Sequence, residues 1–325
     1  MRSLVLGGAG FIGMHLCRRL LADGHQVTVV DNFSRGRRDP ELAALDVEVI
    51  DADLTRLESY AAIPAEGWDH IYQLVAVVGV RYFENEPART LWVNTMSVMH
   101  MLDWLPQDCS AKVFFASTSE AYAGGVSAGV VPVPTPETVP LMIEDITAPR
   151  WAYGASKLLG EAAVIHICNA KRVKHVVARF HNVYGPRMGA SHVIPELSLR
   201  AMRREDPFEV FGVDQYRAFC YVDDAVEGIV LAMGTEDLTG EIVHIGNDVE
   251  HTNIGDLADL VLSVAGFAPE LDRKPAPPGS VAKRWPDITK LRSRTGYAPK
   301  VSLEDGVRRT FEWYRDVWRA DPGTA

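Results

Sequence analysis

The chain has 325 residues, enough for two ordinary domains or one large one, and its 47% hydrophobic against 23% charged residues suit a globular protein rather than a disordered chain or a membrane bundle. Lys and Arg total 33 and Asp and Glu 43, and the formal charge of -10 excludes bulk attraction to nucleic acid or to an anionic membrane. Cys17, Cys109, Cys168 and Cys220 show none of the close spacings of metal or redox pairs, so no metal is expected, and no apolar run reaches the ~18 residues of a membrane span.

From Met1 to Ile12 the apolar run is broken by glycines and lacks a small-residue cleavage site, so an unexported, cytoplasmic protein is expected. Ser3 to Leu6 reads as a buried strand, Phe11 to Ala22 carries apolar residues at helical spacing, and Gln26 to Val30 is β-branched again. Further strands are predicted at Val47 to Ile50, His70 to Val75, Lys112 to Ala116 and His175 to Arg179, with helices at Pro87 to Leu105 and Ala152 to Ala170 between them. Such alternation predicts an α/β fold, a doubly wound parallel sheet covered on both faces. The Gly-, Val- and Pro-rich stretch 124–140 is too irregular for one element and is expected to be an active-site flap. After Arg179 the elements shorten. Val222 to Met233 reads as a helix, Glu241 to Ile245 as a strand rejoining the sheet, and Leu303 to Trp318 as a final amphipathic helix before a tail, 319–325, expected to fray.

The turn Gly7-Gly8-Ala9-Gly10-Phe11-Ile12-Gly13 lies between the first strand and the first helix, where backbone amides and a helix N-terminus approach a pyrophosphate. Asp31 ends the second strand at the spacing of a carboxylate that binds an adenosine ribose, which favours NAD over NADP, with Arg35, Arg37 and Arg38 as the residues a 2′-phosphate would use. Asp53 and Leu54, after the third strand, are expected to border the adenine. Tyr153 and Lys157 are four apart on a predicted helix and share a face. A protonated lysine beside a phenol lowers the phenol pKa and makes it a base toward a hydroxyl, and Thr118, ending the fifth strand, is placed to hydrogen-bond the same oxygen.

With these motifs the sequence resembles the extended short-chain dehydrogenase/reductases, in particular the nucleotide-sugar epimerases, dehydratases and decarboxylases. The resemblance runs through Gly7 to Gly13, Asp31, Ser117 to Tyr122, Tyr153-Gly-Ala-Ser-Lys157, Asn182 to Arg187 and Arg217 to Asp224. It implies a Rossmann-type domain over 1–178 and about 220–246 and a smaller nucleotide-sugar-binding lobe over 179–219 and 247–320. It also implies catalysis by Thr118, Tyr153 and Lys157, and NAD held by Gly7, Gly10, Phe11, Ile12, Gly13, Asp31, Asn32, Asp53 and Leu54 together with Tyr153 and Lys157. A nucleotide-diphosphate sugar would meet Tyr82, Ser119, Arg150, Asn182, Arg187 and Arg217. Relatives are often homodimers, here through Pro87 to Leu105 and Ala152 to Ala170. One departure is the end of the fourth strand, Gln73-Leu-Val-Ala76, where the family usually has His-Leu-Ala-Ala.

Within the family the net reaction is decided after the sugar has been oxidised at C4. Simple 4-epimerases need no acid-base group at Glu120, whereas the matching residue is Glu in dehydratases and decarboxylases. Ser119 stands where dehydratases have Asp and is too weak an acid to protonate a departing hydroxyl. Tyr82, Glu84-Asn-Glu-Pro87, Ser117 to Glu120 and Pro149-Arg150-Trp151 resemble UDP-glucuronate decarboxylases, while Arg179 to Pro186 and Phe208 to Trp313 are similar to GDP-mannose 3,5-epimerase, with His192 near its second acid-base residue. An NAD-dependent epimerase, inverting either C4 or C3 and C5 with Glu120 and His192 as candidate acid-base groups, is therefore the leading expectation, and a UDP-glucuronate decarboxylase the alternative. A dinucleotide sensor without turnover is the non-enzymatic reading; such proteins tend to lose the Tyr or the Lys, and both are present. Base recognition is expected around 193–204 and 275–284, where Arg203 and Arg284 would either touch phosphate or, the reading favoured, stand as solvated charges.

Overall fold

The computed structural model describes residues 1–276 and 281–320. The first half alternates strands β1 (Arg2–Leu6), β2 (Gln26–Asp31), β3 (Glu48–Asp51), β4 (His70–Gln73), β5 (Lys112–Thr118) and β6 (His175–Phe180) with helices, chiefly α1 (Phe11–Ala22), α2 (Pro40–Ala43), α3 (Val80–Asn85), α4 (Pro87–Trp104), α5 (Ala123–Ser127) and α6 (Trp151–Lys171). The second half has shorter pieces: β7 (Val183–Tyr184), β8 (Phe208–Phe211), β9 (Tyr216–Ala218), β10 (Cys220–Tyr221), β11 (Ile242–Ile245), β12 (His251–Asn253), β13 (Leu271–Lys274) and β14 (Lys283–Arg284). Its helices are α7 (Val193–Met202), α8 (Val222–Gly234), α9 (Ile254–Ala265), α10 (Thr289–Thr295) and α11 (Leu303–Ala320). Of the expected fraying tail, 321–325 lies outside the described residues, as does 277–280 of the stretch expected to read the base.

Seven strands form one parallel sheet in the order β11-β6-β5-β4-β1-β2-β3. Side chains alternate between its two faces and feed two separate cores. Val5, Val29, Phe114 and Val176 pack on one side with α1 and α8, while Leu4, Leu6, Val113 and Phe115 pack on the other with Val98 and Met101 of α4 and Val164 of α6. Covering both faces explains why the strands read as continuous apolar runs. Order reverses between β1 and β4, so the loops leaving these two strands diverge and open a crevice at their C-terminal ends. Among the described residues no helix is long and apolar enough to cross a membrane, and no three His, Cys, Asp or Glu side chains gather as a metal site.

Stretch 124–140 does not form a flap over the crevice. Thr135 bridges to Pro286, its hydroxyl donates to the Pro132 carbonyl, and the Glu137 carboxylate accepts the His244 amide at 3.0 Å while its carbonyl accepts from Arg179 at 2.9 Å. These buried bonds strap the segment across the β6 and β11 end of the sheet, and it contributes no lining residue to the crevice. On the exposed surface, Leu91, Trp92 and Met99 of α4 and Leu159 of α6 leave apolar side chains in solvent.

Candidate active site

A cavity of about 750 Å³ runs along the C-terminal ends of the strands, from Asp31 past the glycine turn to Tyr153 and Glu120. Its floor at the switch point is Gly7 to Gly13. Gly7 has φ +84°, a left-handed conformation that glycine adopts without strain, and a Cβ there would stand 3.0 Å from the Val75 nitrogen. At Gly13 a Cβ would lie 2.4 Å from the Gly7 carbonyl oxygen, so helix α1 packs onto the turn only because that atom is missing. Helix α1 begins at Gly10 with no side chain over its amides, leaving its positive end to a ligand.

Asp31 closes the adenosine end. Its carboxylate accepts the Ala9 amide at 3.1 Å and the Phe33 amide at 2.8 Å; burial raises its pKa and these two amides work against that. Asn32, Asp53 and Leu54 line the same end, with Asp53 accepting from the Thr55 amide and hydroxyl. Arg38 pairs with Asp51 at 2.6 Å over the Phe33 ring, and Arg37, which lines the cavity, lies over Trp313. The cradle and the ribose carboxylate therefore fit an unphosphorylated dinucleotide.

At the far end, α6 presents Tyr153 and Lys157 one turn apart, and β5 ends on Thr118, with Ser119 just beyond it. Tyr153 is buried and stacked on Phe83, with ring centroids 5.6 Å apart and planes 16° from parallel. Burial pushes its phenol well up, a hydrogen bond with Thr118 and the charges of Arg35 and Arg284 pull it down, and Glu120 adds to the rise. Lys157 donates to the Ala116 carbonyl at 2.7 Å, and burial drives it down to about 7 with Glu161 in partial opposition. The ammonium expected to acidify Tyr153 is thus engaged by the strand. Behind it, Glu161 forms a buried two-pronged pair with Arg179 at 2.9 and 2.8 Å and also accepts from Ser117, which fixes the β5 end against α6.

Glu120 sits two residues beyond Thr118, in the turn that Thr118 caps, under a group of arginines. Arg284 donates to one carboxylate oxygen, Arg150 stands 3.8 Å from the other, and Arg217 acts at longer range. Burial alone would raise Glu120; Arg284, Arg150 and Arg217 outweigh it and hold the carboxyl below the usual range. Burial and the like charges of Arg284 and Arg150 bring Arg217 itself down to about 9 against the pull of Glu120, while its guanidinium donates to the Tyr216 carbonyl and the Gln215 side-chain oxygen. Asn182, held at positive φ, donates to Ala218 and accepts from Arg284 at 3.4 Å.

Most of the residues singled out in the sequence line this one cavity, Tyr82 and Ser119 included, and two arrive in unexpected company. Arg187 is buried against Asp39 at 2.7 Å and Glu41 at 3.4 Å, on the adenosine side of the crevice and away from Glu120. His192 has Arg35, not Glu120, as its charged neighbour, and burial with that charge holds it down at about 4, a neutral imidazole. Arg150 and Arg217 reach Glu120 from behind the cavity wall rather than lining it. Arg284, for which the sequence leaves phosphate contact and solvation as the two readings, is instead the principal partner of Glu120, while Arg203 is exposed. Gln73 is fully buried, and neither of its amide atoms has a partner among the described residues. Phe83 was missed because an aromatic in a short helix carries no local signal of what it will stack on.

Comparison with known proteins gives a consistent picture. The family model described as "NAD dependent epimerase/dehydratase family" matches residues 3–246. A UDP-glucuronic acid decarboxylase 1 from Xenopus tropicalis is 32% identical over 97% of this chain and 72% of that protein. A UDP-N-acetyl-alpha-D-glucosaminuronate decarboxylase from Bacillus cytotoxicus is 31% identical over 97% of this chain and 98% of that one. Among solved structures, the UDP-glucose 4-epimerase of Thermotoga maritima with UDP-glucose superposes with a TM-score of 0.85 at 31% identity, covering 98% of this chain and 99% of that one. The UDP-glucuronic acid 4-epimerase of Bacillus cereus, in complex with UDP-glucuronic acid and NAD, does so with a TM-score of 0.84 at 26% identity, covering 98% and 100%.

Proposed function

Since the chain belongs to the NAD-dependent epimerase/dehydratase family, we propose that it oxidises a nucleotide-linked uronic acid at C4 and then releases the C6 carboxylate as CO2. The observation that carries this reading is Glu120 ionised among Arg284, Arg150 and Arg217. A 4-epimerase only turns its keto sugar over and has no use for a carboxylate at that point. Three guanidiniums exceed one carboxylate, which leaves positive charge for a diphosphate and for a sugar carboxylate.

Gly7 to Gly13 and the α1 N-terminus would hold the NAD pyrophosphate, Asp31 its ribose, and Tyr153 with Lys157 the nicotinamide end; when bound, NAD supplies the acceptor for the C4 hydride and its later return. Tyr153 would take the C4 hydroxyl proton as a phenolate, a form that the positive charge of bound NAD would favour against the burial that holds the phenol up, and Thr118, which also pulls that phenol down, would orient the same oxygen. In the resulting 4-keto uronate the C5–C6 bond breaks, its electron pair passing into an enolate whose oxygen Tyr153 and Thr118 hold by hydrogen bonds. Protonation at C5 and reduction at C4 complete the sequence. Glu120 is coupled to substrate through Arg284: a diphosphate drawing that guanidinium away leaves burial to dominate and raises the Glu120 carboxyl into the range of a proton donor.

C4 epimerisation is the second reading, favoured by the closeness of the fold to two 4-epimerases. Inversion at C3 and C5 is less supported, because His192 has Arg35 rather than Glu120 as its charged neighbour. Incubation with NAD and UDP-glucuronate, with mass spectrometry and proton NMR of the products, separates the readings: loss of CO2 and a UDP-pentose fits decarboxylation, and a UDP-uronate of unchanged mass overturns it in favour of epimerisation. The exposed Leu91, Trp92, Met99 and Leu159 on α4 and α6 suit pairing with a second copy of the chain, and light scattering at the mass of one chain would contradict a homodimer.

A further inference from the structure

One arginine crosses the cofactor groove. Arg35 leaves the loop after β2 beside Asp31, next to Gly36, where a Cβ would meet Ala9 at 2.8 Å and Asp31 at 2.9 Å; the Arg37 amide ties the same loop to the Ala9 carbonyl. Its side chain extends to the opposite wall, where the guanidinium lies 4.2 Å above the Tyr82 ring and one terminal nitrogen stands 3.4 Å from where a Gly189 Cβ would be. The Nη1 atom is buried and has no hydrogen-bond partner among the described residues. Arg38 is engaged outside the cavity with Asp51, and Arg37, which also lines the cavity, packs over Trp313. Among the described residues no carboxylate neutralises Arg35; the groups acting on it are Tyr82, Tyr153 and the like charge of Arg89.

We propose that Arg35 is a latch over the bound dinucleotide: its planar face rests on Tyr82, and its unpartnered N–H groups take the pyrophosphate that the glycine turn holds from below. A guanidinium fits this task, since one face can stack on an aromatic ring while the edge hydrogen-bonds phosphate oxygens. Gly189 matters because a side chain there would press on the guanidinium, and neutral His192 beside it adds no competing charge. The latch accounts for how a protein whose cofactor is reduced and reoxidised in one cycle keeps it between the two steps. Arg35 is a positioning residue here, and the inference rests on NAD occupying the groove.

The test measures retention of NAD and not turnover. Wild type, Arg35→Ala, Arg35→Met and Arg35→Lys are loaded with NAD, and release is tracked after dilution into excess unlabelled cofactor, with UDP affinity measured in parallel. Expected is release about tenfold faster in Arg35→Ala and Arg35→Met, since one charge-assisted phosphate contact is lost, with Arg35→Lys intermediate and UDP affinity unchanged. The Met variant keeps the apolar stem on Tyr82, so its behaviour isolates the charge. Wild-type release rates in both variants, or a fall in UDP affinity without faster NAD release, overturn the latch. A wild-type protein that takes up no NAD overturns the dinucleotide reading itself and the latch with it.

Discussion

Arg284 and Glu120 are 164 residues apart in the chain and form an ion pair inside the active-site cavity, with Arg284 also reaching Asn182. Because that pair balances two further arginines, replacing Glu120 by Gln leaves three half-buried guanidiniums facing one another. Turnover is expected to fall by about 10² to 10⁴, the usual worth of a positioned acid-base group, while NAD retention stays at the wild-type level. Steady-state rates beside cofactor content check it; an active Glu120→Gln protein removes Glu120 from the chemistry.

Tyr153→Phe deletes one oxygen and keeps the ring stacked on Phe83, so the fold should persist. Turnover is expected to drop by about 10² to 10⁴ with an unchanged thermal midpoint. Unchanged turnover would favour a sensor protein over an enzyme.

Gly13→Ala places a methyl 2.4 Å from the Gly7 oxygen and 2.7 Å from the Gly8 Cα, both backbone atoms that cannot step aside. A loss of about 1–3 kcal/mol of stability is expected, together with weaker NAD binding. Gly234→Ala, where a Cβ meets nothing within 4 Å, serves as the control and should leave both unchanged. Denaturant midpoints and NAD titration decide.

Burial keeps His244 down at about 3 and His70 at about 4, so both are neutral in the folded chain. The unfolded chain protonates them near pH ~6.5, and below that it binds protons the fold refuses. Their stabilisation is therefore complete above about pH 6.5 and declines on acidification by about 1.4 kcal/mol per pH unit for each group. Unfolding midpoints measured between about pH 7.5 and 5 should fall steadily; a flat profile down to the carboxylate range near about pH 4.5 would contradict this.

The glycine turn, Asp31, and the Tyr153 and Lys157 pair were legible because each is a local pattern: a turn between strand and helix, the end of a strand, two residues on one helical face. The Arg284 and Glu120 contact was not, since it is made by β14, a two-residue strand held beside β9, and no spacing in the chain encodes that register. Arg35, Arg37 and Arg38 are chemically alike in sequence; only their partners, Tyr82, Trp313 and Asp51, tell them apart. Stretch 124–140 looked loose because its anchors, Thr135 and Glu137, bond to residues far along the chain.

The most direct measurement traces a label from sugar to cofactor. UDP-glucuronate deuterated at C4 is mixed with stoichiometric NAD-loaded protein, the reaction is quenched before completion, and the dinucleotide is recovered for mass spectrometry. Expected is reduced cofactor carrying the deuterium, with the label back at C4 of a pentose product once turnover finishes. Product formed while the dinucleotide never acquires the label would contradict oxidation at C4, and with it the roles given to Tyr153, Thr118 and Glu120.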